Sequence, residues 1–189
     1  MKTNNRLKNI VLVGIPYSGK TTMGELLADE LNMDYLNLDK KIANLTIDKK
    51  KNWNRLDWIS PDGYSLYWQT TLNCVQSLKE IKTPTVISTG AEVSLHYVNL
   101  KIFREIGYII HLKRDPETLI ECFKKVKTCS EREDYYRQLT MKLISKYSDY
   151  ISTYDEIADI LVDNNGPKEK AVNTLVELSN LLFQLDFKR

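Results

Sequence analysis

Gly14-Ile15-Pro16-Tyr17-Ser18-Gly19-Lys20-Thr21 sets two glycines, a lysine and a hydroxyl at the spacing G-x-x-x-x-G-K-[ST]. That combination suits the binding of nucleotide phosphates. Glycines let the backbone curl until successive N–H groups converge, and a helix starting at the same point adds the positive end of its dipole. Lys20 would place an ammonium at the transferring phosphoryl group, and the Thr21 hydroxyl is the expected Mg²⁺ ligand. Gly14, Tyr17, Ser18, Gly19, Lys20, Thr21 and Thr22 are therefore the candidate nucleotide-binding residues, and ATP with Mg²⁺ is the expected cofactor.

Such a loop works only between a buried strand and a helix, and the flanking sequence supplies both. Ile10-Val11-Leu12-Val13 is a β-branched apolar run, as expected of a strand covered on both faces. Beyond Lys20, Met23, Leu26, Leu27 and Leu31 recur at helical spacing, and Tyr35 to Leu38 predicts a second strand that ends at Asp39. Further strands are predicted at Thr85 to Ser88, Tyr108 to Leu112 and Asp159 to Val162. Helical patterns at Tyr64 to Lys79, Leu95 to Glu105 and Pro116 to Val126 separate them. A last helix follows Pro167, with Ala171, Leu175, Leu178, Leu181 and Leu182 as its stripe. The alternation implies a parallel α/β sheet.

Composition narrows the class. A chain of 189 residues is of single-domain size, and 27 Lys+Arg against 25 Asp+Glu gives no global field that would select nucleic acid or an anionic membrane. Cys74, Cys122 and Cys129 form neither a CxxC pair nor an even framework, which suits a reducing compartment. The apolar run at Ile10 is too short for a signal-peptide core or a membrane span, so a cytoplasmic, soluble protein is expected. The charged stretch Lys124 to Asp134 lacks an apolar period and is the candidate mobile loop.

Gly19-Lys20-Thr21-Thr22-Met23-Gly24-Glu25-Leu26-Leu27-Ala28-Asp29-Glu30-Leu31, followed by Met33 to Asp39, resembles the opening of shikimate kinases. Their pattern there is GKxTxGxxLAxxL, then an aromatic residue and a D-x-D pair. Val86-Ile87-Ser88-Thr89-Gly90 and Tyr154-Asp155-Glu156-Ile157-Ala158-Asp159 with Val162-Asp163 extend the likeness over most of the chain. The resemblance implies a single P-loop kinase domain over residues 1–189, with a five-stranded parallel sheet, helices on both faces and a lid near residues 124–134. It also implies phosphoryl transfer from ATP to a small-molecule hydroxyl, in a monomer or weak dimer.

Within that resemblance the departures bear on substrate. The first aspartate of the D-x-D pair, which helps hold Mg²⁺ through water, is Asn37, and the second, which touches the acceptor hydroxyl, is Asp39. Tyr67-Trp68 stands where the family has F-R, Gly90-Ala91-Glu92 replaces a triple-glycine turn, and Tyr150 occupies another arginine position. Cys122 stands for the arginine that packs on adenine. Tyr17 stands where many members keep a third loop glycine, and the R-P-L-L lid motif is absent, with Arg132 near its place.

Lys20, Asp39 and Arg132 are the candidate catalytic residues. Asp39 follows the carboxyl end of a strand, where open α/β sheets bind ligands, and would orient and help deprotonate the acceptor. An aspartate there also suits a helix N-cap. Arg132 would stabilise transferred charge from a closing lid, although a solvated charged loop explains it equally. Trp53, Trp58, Tyr64, Tyr67 and Trp68 read mainly as packing, with Trp68 also suited to an altered acceptor pocket. His96 and His111 have no ligand-spaced partners and read as structural. Three readings stay open: a shikimate-like metabolite kinase, a kinase for a neutral or aromatic acceptor, and a nucleotide-binding protein without phosphotransfer.

Overall fold

The computed structural model describes residues 9–49, 61–124, 138, 141–142 and 145–186. Its elements run β1 (Asn9–Val13), α1 (Lys20–Leu31), β2 (Asp34–Asn37), α2 (Leu38–Lys49), α3 (Pro61–Ser77), a 3₁₀ turn (Leu78–Glu80) and β3 (Thr85–Ser88). Then come α4 (Ala91–Leu95), α5 (Tyr97–Ile106), β4 (Gly107–Lys113), α6 (Pro116–Lys124), α7 (Tyr147–Ile157), β5 (Ile160–Asp163) and α8 (Lys168–Asp186). All strand pairs are parallel, in the order β2-β3-β1-β4-β5. This is the expected five-stranded α/β fold.

The central place of β1 explains its composition. Side chains alternate across a strand, so a strand covered on both faces must be apolar at every position. Ile10 and Leu12 pack with Met23 and Leu27 of α1 and with Ala171 and Leu175 of α8. Val11 and Val13 enter the opposite cluster with Val75, Phe103, Leu119 and Tyr154. The four apolar side chains of β1 are fully buried, and at about 1.5–3 kcal/mol each they make the strand a rigid base for the loop that leaves it.

The two clusters also locate the binding edge. The connection leaving β1 runs over one face through α1, whereas the connection leaving the adjacent β3 runs over the other through α5. Neighbouring strands whose connections diverge open a crevice at their carboxyl ends.

Several element boundaries differ from the expectation. Leu38 starts α2 rather than ending β2, because Asn37 Oδ1 accepts the Lys40 N–H at 2.9 Å and caps the helix. The helix expected over Leu95 to Glu105 is broken at His96, whose backbone is extended, and Asn99 secures the break by donating to the Val93 carbonyl at 3.0 Å. Leu181 is 53% exposed, since residues 171, 175, 178 and 182 share one helical face and 181 does not. Helix α7 was not anticipated, because polar residues separate its buried Ile151, Tyr154 and Ile157. No helix among the described residues is long and apolar enough to cross a membrane.

Candidate active site

Leaving β1, the chain turns through Gly14 (φ 145°), Tyr17 (φ 63°) and Gly19 (φ 95°) before α1 begins at Lys20. Gly19 is required twice over: its φ is left-handed, and a Cβ there would overlap the Asn164 side-chain amide. Tyr17 holds a left-handed conformation without glycine's freedom, at a cost of about 1–3 kcal/mol that its surroundings must offset. Lys20 folds back over the loop, donating to the Ile15 carbonyl at 2.7 Å and to Ser18 Oγ at 3.4 Å. Burial lowers its pKa to about 8, against the opposing pull of Asp39.

A cleft of about 440 Å³ opens over this loop, within the size range of small-ligand pockets. Its lining comes from Tyr17, Gly19, Lys20, Thr21 and Thr22 of the loop and α1, Asn37 and Asp39 at the β2–α2 junction, and Ser88, Thr89 and Gly90 at the end of β3. Gly14 and Ser18 are buried and do not line it. Asp39 lies in the first turn of α2, against Gly90, where the Cβ of any other residue would overlap Oδ1. With Asn37 as the cap, the capping role considered for Asp39 is taken by its neighbour. Thr89 Oγ1 donates to the Leu12 carbonyl at 2.9 Å and ties the end of β3 to β1.

Beneath the loop, His111 on β4 is fully buried and pairs with Asp155 Oδ1 at 2.8 Å through Nδ1. Burial holds its pKa below the usual histidine value despite Asp155. Its ring lies 5.0 Å from that of Tyr154, whose hydroxyl donates to the Ala91 carbonyl at 3.0 Å. His111 thus ties β4 to α7 through Asp155 and Tyr154.

The match to a known family decides the class: the family model for shikimate kinase covers residues 16–179. The chain belongs to the shikimate kinase family. It is 25% identical to the shikimate kinase of Enterococcus faecalis over 90% of this chain and 98% of that one. The shikimate kinase of Staphylococcus epidermidis is 31% identical over 82% and 85%. The solved shikimate kinase of Aquifex aeolicus superposes with a TM-score of 0.70 over 94% of this chain and 99% of that one, at 23% identity, and shares the fold.

Lys20, Thr21 and Asp39 meet in one cleft. Trp68 is not in its lining; the ring packs 5.6 Å from Tyr67 and 5.3 Å from His96. Tyr67 and Tyr150 pack against the core cluster under α3 and α7. Arg132, Trp53, Trp58 and Cys129 lie outside the described residues, as does the lid stretch beyond Lys124. Two residues escaped the sequence reading. Arg114 and Asn164 follow the last residues of β4 and β5, on the same strand edge as the loop, and Arg114 enters the cleft beside Cys122. That position, just past a strand end, was the available signal.

Proposed function

We propose that this protein transfers the γ-phosphoryl group of ATP to a hydroxyl of a small metabolite, and that shikimate is a poor acceptor. The convergence of Lys20, Thr21 and Asp39 in one cleft carries the reading. Phosphoryl transfer asks the protein chiefly for positioning and charge. The loop amides and the α1 dipole would cradle the phosphates, and Lys20, released from the Ile15 carbonyl, would follow charge onto the leaving oxygen. Asp39, braced on Gly90, would orient the acceptor hydroxyl and accept its proton.

The residues present fit Mg²⁺. Among the described residues no group of three or more His, Cys, Asp or Glu could hold a metal by itself, and Mg²⁺ characteristically takes few protein ligands alongside phosphate oxygens and water. Thr21 would supply a hydroxyl ligand and Asp39 a nearby carboxylate. When bound, the ion neutralises developing charge on the phosphate oxygens. Asn37 offers less, because its Oδ1 is already held by the Lys40 N–H.

For the acceptor, the argument rests on charge. An arginine that holds a carboxylate contributes about 1.5–3 kcal/mol per charge-assisted hydrogen bond, and a neutral ring in its place contributes none of it. Tyr67-Trp68 and Tyr150 supply no cation, and exposed Glu92 in the first turn of α4 adds negative charge beside Gly90. Solved neighbours also include a gluconokinase from Sinorhizobium meliloti, at a TM-score of 0.53 and 18% identity, so related folds serve another acceptor. The test is ADP release across a panel of acceptors that includes shikimate, polyols and nucleosides. Stimulation by a neutral acceptor supports the reading. A kcat/KM for shikimate of about 10⁴ M⁻¹s⁻¹ or more overturns its acceptor half. ATP binding without stimulation by any acceptor would point to a nucleotide-binding protein, for which the engaged Asn37 is the motivating observation.

A further inference from the structure

The hydrogen bonds of Arg114 converge on the phosphate loop. Its Nε donates to the Asn164 carbonyl at 2.9 Å, and Nη1 donates to the Tyr17 carbonyl at 3.0 Å and to Cys122 Sγ at 3.4 Å. Its own carbonyl accepts the Tyr147 hydroxyl at 3.0 Å, which anchors the residue to α7. Asn164, held by Arg114, passes the constraint on: its Nδ2 donates to the Ser18 carbonyl at 2.8 Å. One guanidinium therefore governs the carbonyls of two successive loop residues, the first of them the left-handed Tyr17.

In a trans peptide the C=O and the following N–H point in opposite directions. Holding the Tyr17 carbonyl thus fixes the Ser18 N–H, which closes the turn by donating to the Ile15 carbonyl at 3.2 Å. Holding the Ser18 carbonyl toward Asn164 turns the Gly19 N–H the other way, at the loop that lines the cleft. A planar fork can bridge two carbonyls on different segments at once; a lysine ammonium carries the same charge without that geometry.

We propose that Arg114 is a positioning residue for the phosphate loop, acting through the Tyr17 carbonyl and Asn164 to hold the loop amides for nucleotide phosphates. This rests on the nucleotide-binding reading above. It assigns to β4 and β5 a part in phosphate binding that neither the loop motif nor Cys122 carries.

The experiment is calorimetric binding of Mg-ATP and of inorganic tripolyphosphate with Mg²⁺ to the wild-type protein, Arg114→Lys and Asn164→Ala, with melting temperatures recorded. Arg114→Lys keeps the charge, so a loss reports geometry. The expected result is a loss of roughly 10- to 100-fold for both ligands by the same factor, the scale of one charge-assisted hydrogen bond. Asn164→Ala should weaken both in the same direction, and the double variant should lose less than the two single factors multiplied, because both act on one loop. Loss for ATP with tripolyphosphate unchanged overturns the proposal and makes Arg114 a contact to the nucleoside. Unchanged binding of both ligands overturns it outright. If Arg114→Lys fails to fold, Asn164→Ala carries the same pair of outcomes. Wild-type binding of ATP without tripolyphosphate also overturns it, since the loop would then not hold phosphates by itself. Wild-type binding of neither ligand is a different result, the failure of the nucleotide-binding reading.

Discussion

In the function proposed above, the two sides of the cleft are built from different material, main chain on the phosphate side and side chains on the acceptor side. Around the loop, Lys20, Arg114 and Asn164 all point their donors at backbone carbonyls, those of Ile15, Tyr17 and Ser18. Across from it, Asp39 rests on Gly90, while the rings of Tyr67 and Trp68 pack on each other outside the cleft lining. A cradle of backbone amides keeps its ligand as long as the turn is held, so its braces can come from new positions. A pocket of side chains changes its ligand with each replacement. On the function proposed above, a chain can therefore keep the nucleotide motif intact while the side chains of its acceptor pocket change.

The largest expected effect lies on the phosphate side. Lys20→Ala should lower kcat/KM for ATP by about 10²–10³-fold or more, the scale of losing one preorganised charge at a transferring group. Steady-state ADP release, with circular dichroism to establish folding, measures it. Unchanged turnover in a folded variant would remove the central claim about the loop.

Gly90→Ala should separate the sides. Its methyl must displace Asp39, and a 1 Å misplacement of a positioned group costs about 10²-fold. We expect kcat to fall by that order while ATP affinity, measured by calorimetry, stays within a few-fold. Equal losses in both would mean that the two sides are one unit.

The third prediction concerns pH and the phosphate side alone. Burial holds Lys20 near 8 in the free protein, and arriving phosphates stabilise the charged form and raise its pKa. Below pH 8 the ammonium is charged both free and bound, so affinity is insensitive to this group. Above pH 8 binding takes up a proton, and ATP affinity should fall toward tenfold per pH unit. For folding the sign reverses: a lysine depressed in the folded state costs stability below pH 8, and the cost is relieved as pH rises toward 10.5. A flat ATP affinity from pH 7.5 to 9.5 would show that Lys20 stays charged throughout.

The smallest effect is structural. Asn37→Ala removes the α2 cap and should cost about 1 kcal/mol, a fall of roughly 2–4 °C in Tm for a chain of this size. Asn37→Asp should keep the cap and the Tm. A loss of ATP turnover by Asn37→Ala far beyond what its stability change explains would give Asn37 a part in the site.

The residues themselves show how much was legible. The strand Ile10 to Val13, the loop and α1 could be read directly, because a fully apolar run, a G-x-x-x-x-G-K-[ST] spacing and a 3.6-residue period each express a local preference. Boundaries slipped where a side chain intervened: Asn37 ended β2 a residue early by capping α2, and Asn99 secured the break between α4 and α5. The Arg114 and Asn164 braces had no motif to announce them.

Local sequence therefore determined the strands, most of the helices and the glycine turn after β1, since those choices depend on φ/ψ preference and periodicity within a few residues. The strand order decided the rest. It carried Arg114 to Tyr17 across 97 positions and Asn164 to Ser18 across 146, and packing of α2 against the end of β3 set Asp39 on Gly90. Pairings at such separations follow from which faces bury together, a property of the whole sheet that no short segment encodes.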